Sequence, residues 1–369
     1  MNAGKKIRVL VVDDSAFMRK VLQGIITSDP HLEVCGEARD GRDAVTQTEA
    51  LKPDVISMDI NMPHMDGLQA TEIIMASNPR PILVVSSESR DGAEVTLKAL
   101  QLGAIDFVAK PSGGIDLDMS AVKEEICRKL KMASKVRVVR NATRSKIPLP
   151  PEGPTPGGDP IELSRLAQQR AGKFPLIVVA ASTGGPATLM KFAPYFPKDF
   201  PGAVVVIQHM PGNFTAQFSK QLAEVSRIKV KEAEAGEIIV PYQLYVCPGS
   251  HHLRVSPTGR ITLDDGARIG GYRPCADVAL ETAAAYAGPM TIGVILTGMG
   301  NDGARGVQAV KAAGGHVIVQ DESSAVIFGM PQEAIKTGAV DQVLTVETIF
   351  QGIEKRVQYA FGATKVGAL

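Results

Sequence analysis

Apolar runs of strand length alternate with amphipathic stretches of helix length over two long parts of the chain. In the first part the runs are Ile7–Val12, Val34–Glu37, Val55–Met58, Ile82–Val85 and Phe107–Ala109. Helix-like segments such as Ala16–Thr27 and Glu94–Leu102 lie between them. This alternation predicts parallel βα units, and five of them fit a small doubly wound α/β domain. From Phe174 the alternation resumes: LIVVAA, AVVVIQ, YQLYVCP, TIGVILT and HVIVQD read as strands. Most are almost wholly apolar, which suits strands covered on both faces. LRVSPTGRITL reads as an antiparallel hairpin turning at Thr258 and Gly259. The expectation is a second doubly wound, mostly parallel α/β domain whose sheet the hairpin makes mixed.

Between the two parts the composition changes. SKVRVVRNATRSKIPLPPEGPTPGGDP carries basic residues and then clustered Pro and Gly, a composition that cannot bury a core. With 369 residues the chain exceeds one typical core. The predicted organisation is a first domain at 1–131, a Pro/Gly-rich linker at 132–172 with a lead-in helix at Ile161–Ala171, and a second domain at 173–369.

Bulk properties exclude some classes. A net charge of +1 gives no electrostatic case for nucleic acid. The apolar run after MNAGKK is short, carries Arg8 and ends in Asp13 and Asp14, so it is not a signal peptide. No apolar stretch has the length for membrane insertion. Cys35, Cys127, Cys247 and Cys275 lack metal or disulfide spacing and read as free thiols of a reducing, cytoplasmic compartment.

Chemistry-bearing residues gather at predicted strand ends, the edge where open α/β sheets bind ligands. Asp13 and Asp14 end the first run, Asp59 the third and Ser86 the fourth; Lys110 follows the fifth. Singly, each aspartate is better read as a helix cap. Together they suit a hard divalent cation, with Mg²⁺ the natural occupant. Asp59 can then attack phosphorus, with Lys110 and Ser86 holding phosphoryl oxygens. VLVVDDS, SMDINMPHMDG, VVSS and DFVAKP resemble the motifs of the response-regulator receiver domain, a five-stranded flavodoxin-like fold. The resemblance implies that Asp59 is the phospho-acceptor and that Asp13, Asp14 and the Asn61 carbonyl complete the Mg²⁺ site. It further implies that Ser86 and Phe107 shift on phosphorylation.

A second set lies in the second part. Ser182, in VVAASTGGP, follows a strand and precedes Gly-rich sequence and a helix. Alone it reads as an N-cap. His209 ends AVVVIQHMP, and Asp302 lies in GMGNDGA after TIGVILT. Three strand ends thus bring a nucleophile, a base and an orienting carboxylate together. The order Ser, His, Asp and Ala180 before the AST stretch exclude the G-x-S-x-G elbow. GMGNDG also matches G-x-G-x-x-G, with Asp321 ending the next strand, so a nucleotide-binding enzyme is one alternative. A receiver-controlled binding module without enzyme activity is another.

ASTGGP, QHMP and LTGMGNDGA resemble the catalytic domain of the chemotaxis protein-glutamate methylesterases. The resemblance implies Ser182 as nucleophile, His209 as base, Asp302 as its orienter, the Met299 N–H as oxyanion donor and Thr183 as a supporting hydroxyl. It implies phosphorylation-activated hydrolysis of glutamate methyl esters on the cytoplasmic helices of chemoreceptors, with glutamine deamidation beside it, a chemotaxis histidine kinase as phosphodonor and no cofactor for the esterase. QHMPGNFT departs slightly from the family's QHMPPGFT. The helix after Arg273-Pro274 reads CADVALET, where the family more often has a Phe near Leu280, a change that can alter which receptor helix is accepted.

Overall fold

The computed structural model describes residues 5–86, 90–110, 119–136 and 174–366. The chain divides into two compact units, Met1–Lys146 and Ile147–Leu369. Most of the expected linker, including Ile161–Ala171, lies outside the described residues.

In the first unit, β1 (Ile7–Val12), β2 (Leu32–Ala38), β3 (Val55–Asp59), β4 (Ile82–Ser86) and β5 (Asp106–Ala109) form one sheet. Its order is β2-β1-β3-β4-β5 and every pair is parallel. Helices α1 (Ala16–Thr27), α2 (Gly41–Leu51), α3 (Gly67–Ser77) and α4 (Arg90–Leu102) link the strands, and α5 (Met119–Ala133) follows β5. Polar side chains start three of them: Ser15, Asp40 and Asp66 accept from Met18, Asp43 and Gln69 amides. Strands β3 and β4 are buried at every residue, so they read as runs rather than alternations. Strand order reverses between β1 and β3, which opens a crevice at their carboxyl ends.

The second unit holds a seven-stranded sheet. Its strands are β6 (Leu176–Ala181), β7 (Ala203–Gln208), β8 (Lys229–Glu232), β9 (Gln243–Val246), β12 (Thr291–Ile295), β13 (His316–Gln320) and β14 (Gln342–Leu344). The order is β14-β13-β12-β6-β7-β9-β8. It reverses between β6 and β12, both fully buried. Around it lie α6 (Gly185–Phe192), α7 (Gly212–Val225), α8 (Ala276–Ala287), α9 (Ala304–Ala312), α10 (Gly329–Lys336) and α11 (Val346–Val366).

The hairpin forms as expected from β10 (His252–Val255) and β11 (Ile261–Asp264), with Gly259 at φ +75° in its turn. It does not make the large sheet mixed. Among the described strands, β10 and β11 pair with each other and with no strand of the seven-stranded sheet, whose pairings are all parallel. The sequence pattern also misses β8 and β14, which lie at the two edges. KVKE is charged and QVL is three residues long, and neither shows an apolar run.

Leu280, the departure from the family pattern, lies in the core. It is fully buried in α8, and a Cβ at Gly306 of α9 would come within 2.6 Å of its Cβ. Leu280 therefore seals the α8–α9 contact and offers no surface to a receptor helix.

Candidate active site and acidic pocket

At the β1/β3 crevice, Asp13 directly follows β1 and Asp59 ends β3. Both are buried, while Asp14 is exposed. One oxygen from each of the three lies within 4.8 Å of the others. Lys110, directly after β5, spans two of them: its Nζ is 2.9 Å from Asp13 Oδ2 and 2.8 Å from Asp59 Oδ2. Neither buried aspartate caps a helix. Asp13 Oδ1 accepts from the Ser15 amide at 2.9 Å, and Asp59 Oδ1 from the Ile60 amide at 2.8 Å.

Burial pushes the Asp59 carboxyl above its ordinary value; the Lys110 hydrogen bond and charge oppose this and Asp13 adds to it. Burial alone would lower the Lys110 ammonium, but its bonds to Asp59 and Asp13 outweigh that and hold it high. Three carboxylates against one ammonium leave an excess of negative charge. That all-oxygen donor set fits Mg²⁺. Ser86 and Phe107 are buried on the neighbouring strands, and Asn61 is exposed two residues beyond Asp59.

In the second unit Ser182, His209 and Asp302 follow β6, β7 and β12, the strands at and beside the order reversal. The His209 amide donates to Ala181 O at 3.0 Å. Gln208 Nε2 donates to Ser182 O at 2.9 Å and to His209 O at 3.1 Å. From the β12 side, Thr297 O accepts from the Ser182 amide at 3.0 Å, and Thr297 Oγ1 donates to Thr183 O at 2.9 Å. These bonds grip Ser182 by its main chain and leave its hydroxyl out of the framework.

Local backbone shape follows from the glycines. The N-cap of α6 is Gly184, at φ +75°, so Ser182 is not a cap. A Cβ on Gly185 would lie 2.0 Å from Gln208 Oε1, so only glycine lets Gln208 reach Ser182. A Cβ on Gly298 would lie 2.9 Å from Ser182 Cβ, which puts the Gly298–Met299 peptide beside the serine. Gly298 N–H donates to Ile327 O, and its carbonyl accepts from Gly329 and Met330. The Met299 amide takes no part in those bonds.

His209 Nε2 lies 2.8 Å from Asp302 Oδ2. The carboxylate makes Nε2 the protonated nitrogen, which leaves the Nδ1 lone pair free to take a proton. Asp302, 2 % exposed, receives three further donors from the start of α8. The Ala276 amide reaches Oδ2 at 2.7 Å, and the Asp277 amide and Cys275 Sγ reach Oδ1 at 3.0 and 3.2 Å. Burial pushes the Asp302 carboxyl up, but hydrogen bonds and charge from His209, then the two amides, bring it below its ordinary value. Burial, and then the Asp302 charge, push the Cys275 thiol up to about 12, so it stays a donor. In exchange, Asp277 Oδ1 accepts from the Gly303 and Gly306 amides at 2.9 and 2.7 Å. The helices α8 and α9 thus trade carboxylate caps. The trade also speaks against the dinucleotide loop, since Asp277 occupies the amides that would receive phosphate.

The CheB methylesterase family model matches residues 177–353, and that of the response regulator receiver domain matches residues 9–121. The protein-glutamate methylesterase/protein-glutamine glutaminase of Pyrococcus horikoshii is 45% identical over 377 residues, covering 99% of this chain and 97% of its own. That of Symbiobacterium thermophilum is 43% identical over 358 residues, covering 96% and 98%. The chain belongs to the protein-glutamate methylesterase/protein-glutamine glutaminase family. Among solved structures, the CheB methylesterase catalytic domain of Thermotoga maritima is 41% identical over 50% of this chain and 98% of its own, with a TM-score of 0.48.

The sequence pattern picked out the residues that carry the family motifs but not those that hold them. Gln208 and Thr297 end apolar strands next to motif residues, and that adjacency was a usable signal. Tyr272, Cys275 and Asp277 were not legible. Tyr272 stacks on the His209 ring, with centroids 4.7 Å apart and planes at 17°, yet it lies 63 positions along the chain.

Proposed function

We propose that the second unit hydrolyses glutamate methyl esters on chemoreceptor helices, and deamidates glutamines there, under control of a phosphorylated first unit. The observation that carries the reading is the His209 imidazole, tied through Nε2 to a helix-capped Asp302 one strand end from Ser182. Ser182 Oγ attacks the ester carbonyl carbon while its proton passes to His209 Nδ1. Asp302 holds the ring and stabilises the imidazolium. The Met299 amide donates to the oxyanion, and Thr183 supports the turn that carries the serine. Collapse of the tetrahedral species expels methanol, which takes its proton from His209. Water then attacks the acyl-serine, giving up a proton to Nδ1, and glutamate and free Ser182 result. A glutamine amide follows the same steps with ammonia leaving. The ester chemistry uses no cofactor.

In the first unit Asp59 is the phosphoryl acceptor from a chemotaxis histidine kinase. Asp13, Asp14, Asp59 and the Asn61 carbonyl hold Mg²⁺. Bound there, the ion offsets the charge of the phosphoryl oxygens. Lys110 and Ser86 take phosphoryl oxygens, and Phe107 shifts with Ser86. The organisation is a receiver at 1–131, a tether at 132–172 and an esterase at 173–369, working in the cytoplasm beside its receptors. Among the described residues no helix is long and apolar enough to cross a membrane.

An acyl-transfer inhibitor followed by peptide mass analysis tests the assignment, with bound NAD measured in parallel. Modification of Ser182 and no NAD binding are expected. Bound NAD with Ser182 unmodified would replace the hydrolase by a nucleotide enzyme; neither would leave a binding module.

A further inference from the structure

The segment between β11 and α8 brings an aromatic ring onto the base. Ile269, Gly270, Gly271 and Tyr272 form a tight turn in which Ile269 and Tyr272 exchange both main-chain hydrogen bonds at 3.0 Å. The two central glycines have φ of +61° and +90°, the left-handed pair that a two-residue type I′ turn requires. The turn delivers Tyr272 with its ring nearly parallel to the His209 imidazole. The far end of the ring is seated too. Gly300, at φ +95°, leaves the space that the phenol fills, and a Cβ there would lie 1.8 Å from the Tyr272 hydroxyl.

This ring answers a weakness in the His209–Asp302 pair. A histidine side chain turns about its Cβ–Cγ bond, a torsion with broad minima. Nε2 lies closer to that axis than Nδ1 does. A hydrogen bond through Nε2, the one His209 makes with Asp302, therefore constrains the ring plane less than one through Nδ1 would. The usual triad bonds its carboxylate through the off-axis Nδ1 and escapes the problem. Here the free nitrogen is the one that swings.

We propose that Tyr272 is a positioning residue for the base: its stacked ring sets the plane of His209 and so aims Nδ1 at the Ser182 hydroxyl. The same π face stabilises the positive charge that the imidazole gains as it takes the proton. The proposal rests on Ser182 and His209 being nucleophile and base.

The test uses the full chain and methylated receptor membranes, with Tyr272→Phe, Tyr272→Leu and Ser182→Ala beside the parent. Tyr272→Leu should lose about 10- to 100-fold in kcat, the scale of a misaimed catalytic group, with KM unchanged. Tyr272→Phe, which keeps the ring, should restore the parent rate. Parent activity in a folded Tyr272→Leu overturns the proposal, and so does equal loss in Phe and Leu, which would place the effect in the hydroxyl. A parallel proton spectrum of histidine-labelled parent needs no variant. Stacking should move the His209 ring protons upfield by ring current, and resonances at the position of a solvent-exposed imidazole would also overturn it. An active Ser182→Ala would instead sink the underlying assignment; an inactive one beside a fully active Tyr272→Leu would sink the positioning role alone.

Discussion

Asp302→Asn separates the two jobs proposed for one carboxylate. Its oxygens receive four donors: His209 Nε2, the Ala276 and Asp277 amides and the Cys275 thiol. Asparagine offers one oxygen and one NH₂. If the oxygen faces His209 and Ala276, the NH₂ opposes the Asp277 amide. One buried amide then lacks an acceptor, a loss of about 1–3 kcal/mol in stability. The effect on catalysis is larger. The oxygen still accepts from Nε2–H and keeps the tautomer, but without a negative partner the imidazolium is unsupported, so kcat should fall by up to about 10⁴-fold, or about 5–6 kcal/mol of barrier. The lowered carboxyl adds a pH signature. Because its folded value lies below its unfolded value, its stabilisation is full above the ordinary carboxylate value of 3.8 and is lost as pH falls through and below it. The asparagine variant should lack that part of the acid slope. Methanol release from methylated receptor measures the rate, and urea unfolding between neutral and acid pH measures the stability. A variant that loses stability but keeps its rate would refute the reasoning, because Asp302 would then be only the cap of α8.

Gly185→Ala should displace Gln208 and destabilise the second unit by about 1–3 kcal/mol, as overpacking does, with a lower melting temperature and slower methanol release. Asp277→Ala should lose about 0.5–2 kcal/mol as a missing cap in urea unfolding, whereas Asp277→Asn should not, since one oxygen takes both amides. Burial, as the largest cause, holds the Asp277 carboxyl above its ordinary value. Its folded form therefore favours the proton, and parent stability relative to Asp277→Asn should rise as pH falls from neutral through the carboxylate range. Asp59→Asn, or chelation of Mg²⁺ in the parent, should stop phosphoryl transfer from a small acyl phosphate, followed by peptide mass, while basal esterase activity persists.

The parts of the fold that were legible are those with one physical cause. Strands buried on both faces announce themselves as apolar runs, and the strand ends of β1, β3, β4 and β5 delivered the acidic pocket by position alone. The edges failed for the opposite reason: β8 is charged to discourage further pairing, so its sequence carries no apolar signal. Ser182 and His209 stand out in the sequence because each directly follows a readable strand, and Asp302 because the glycine-rich loop that holds it follows another. What holds them was harder to see. Cys275 and Asp277 act through a crossing of α8 and α9, and Tyr272 through a turn some 60 residues from the base. Leu280 shows another limit: a departure from the family pattern does not itself tell core from surface, and this residue lies in the core.

The most direct measurement is methanol release from methylated receptor membranes by the full chain and its Ser182→Ala variant, each with and without an acyl phosphate and Mg²⁺. The account predicts release by the parent, faster release when it is phosphorylated, and none from Ser182→Ala under either condition. Release by a folded Ser182→Ala equal to that of the parent would contradict it.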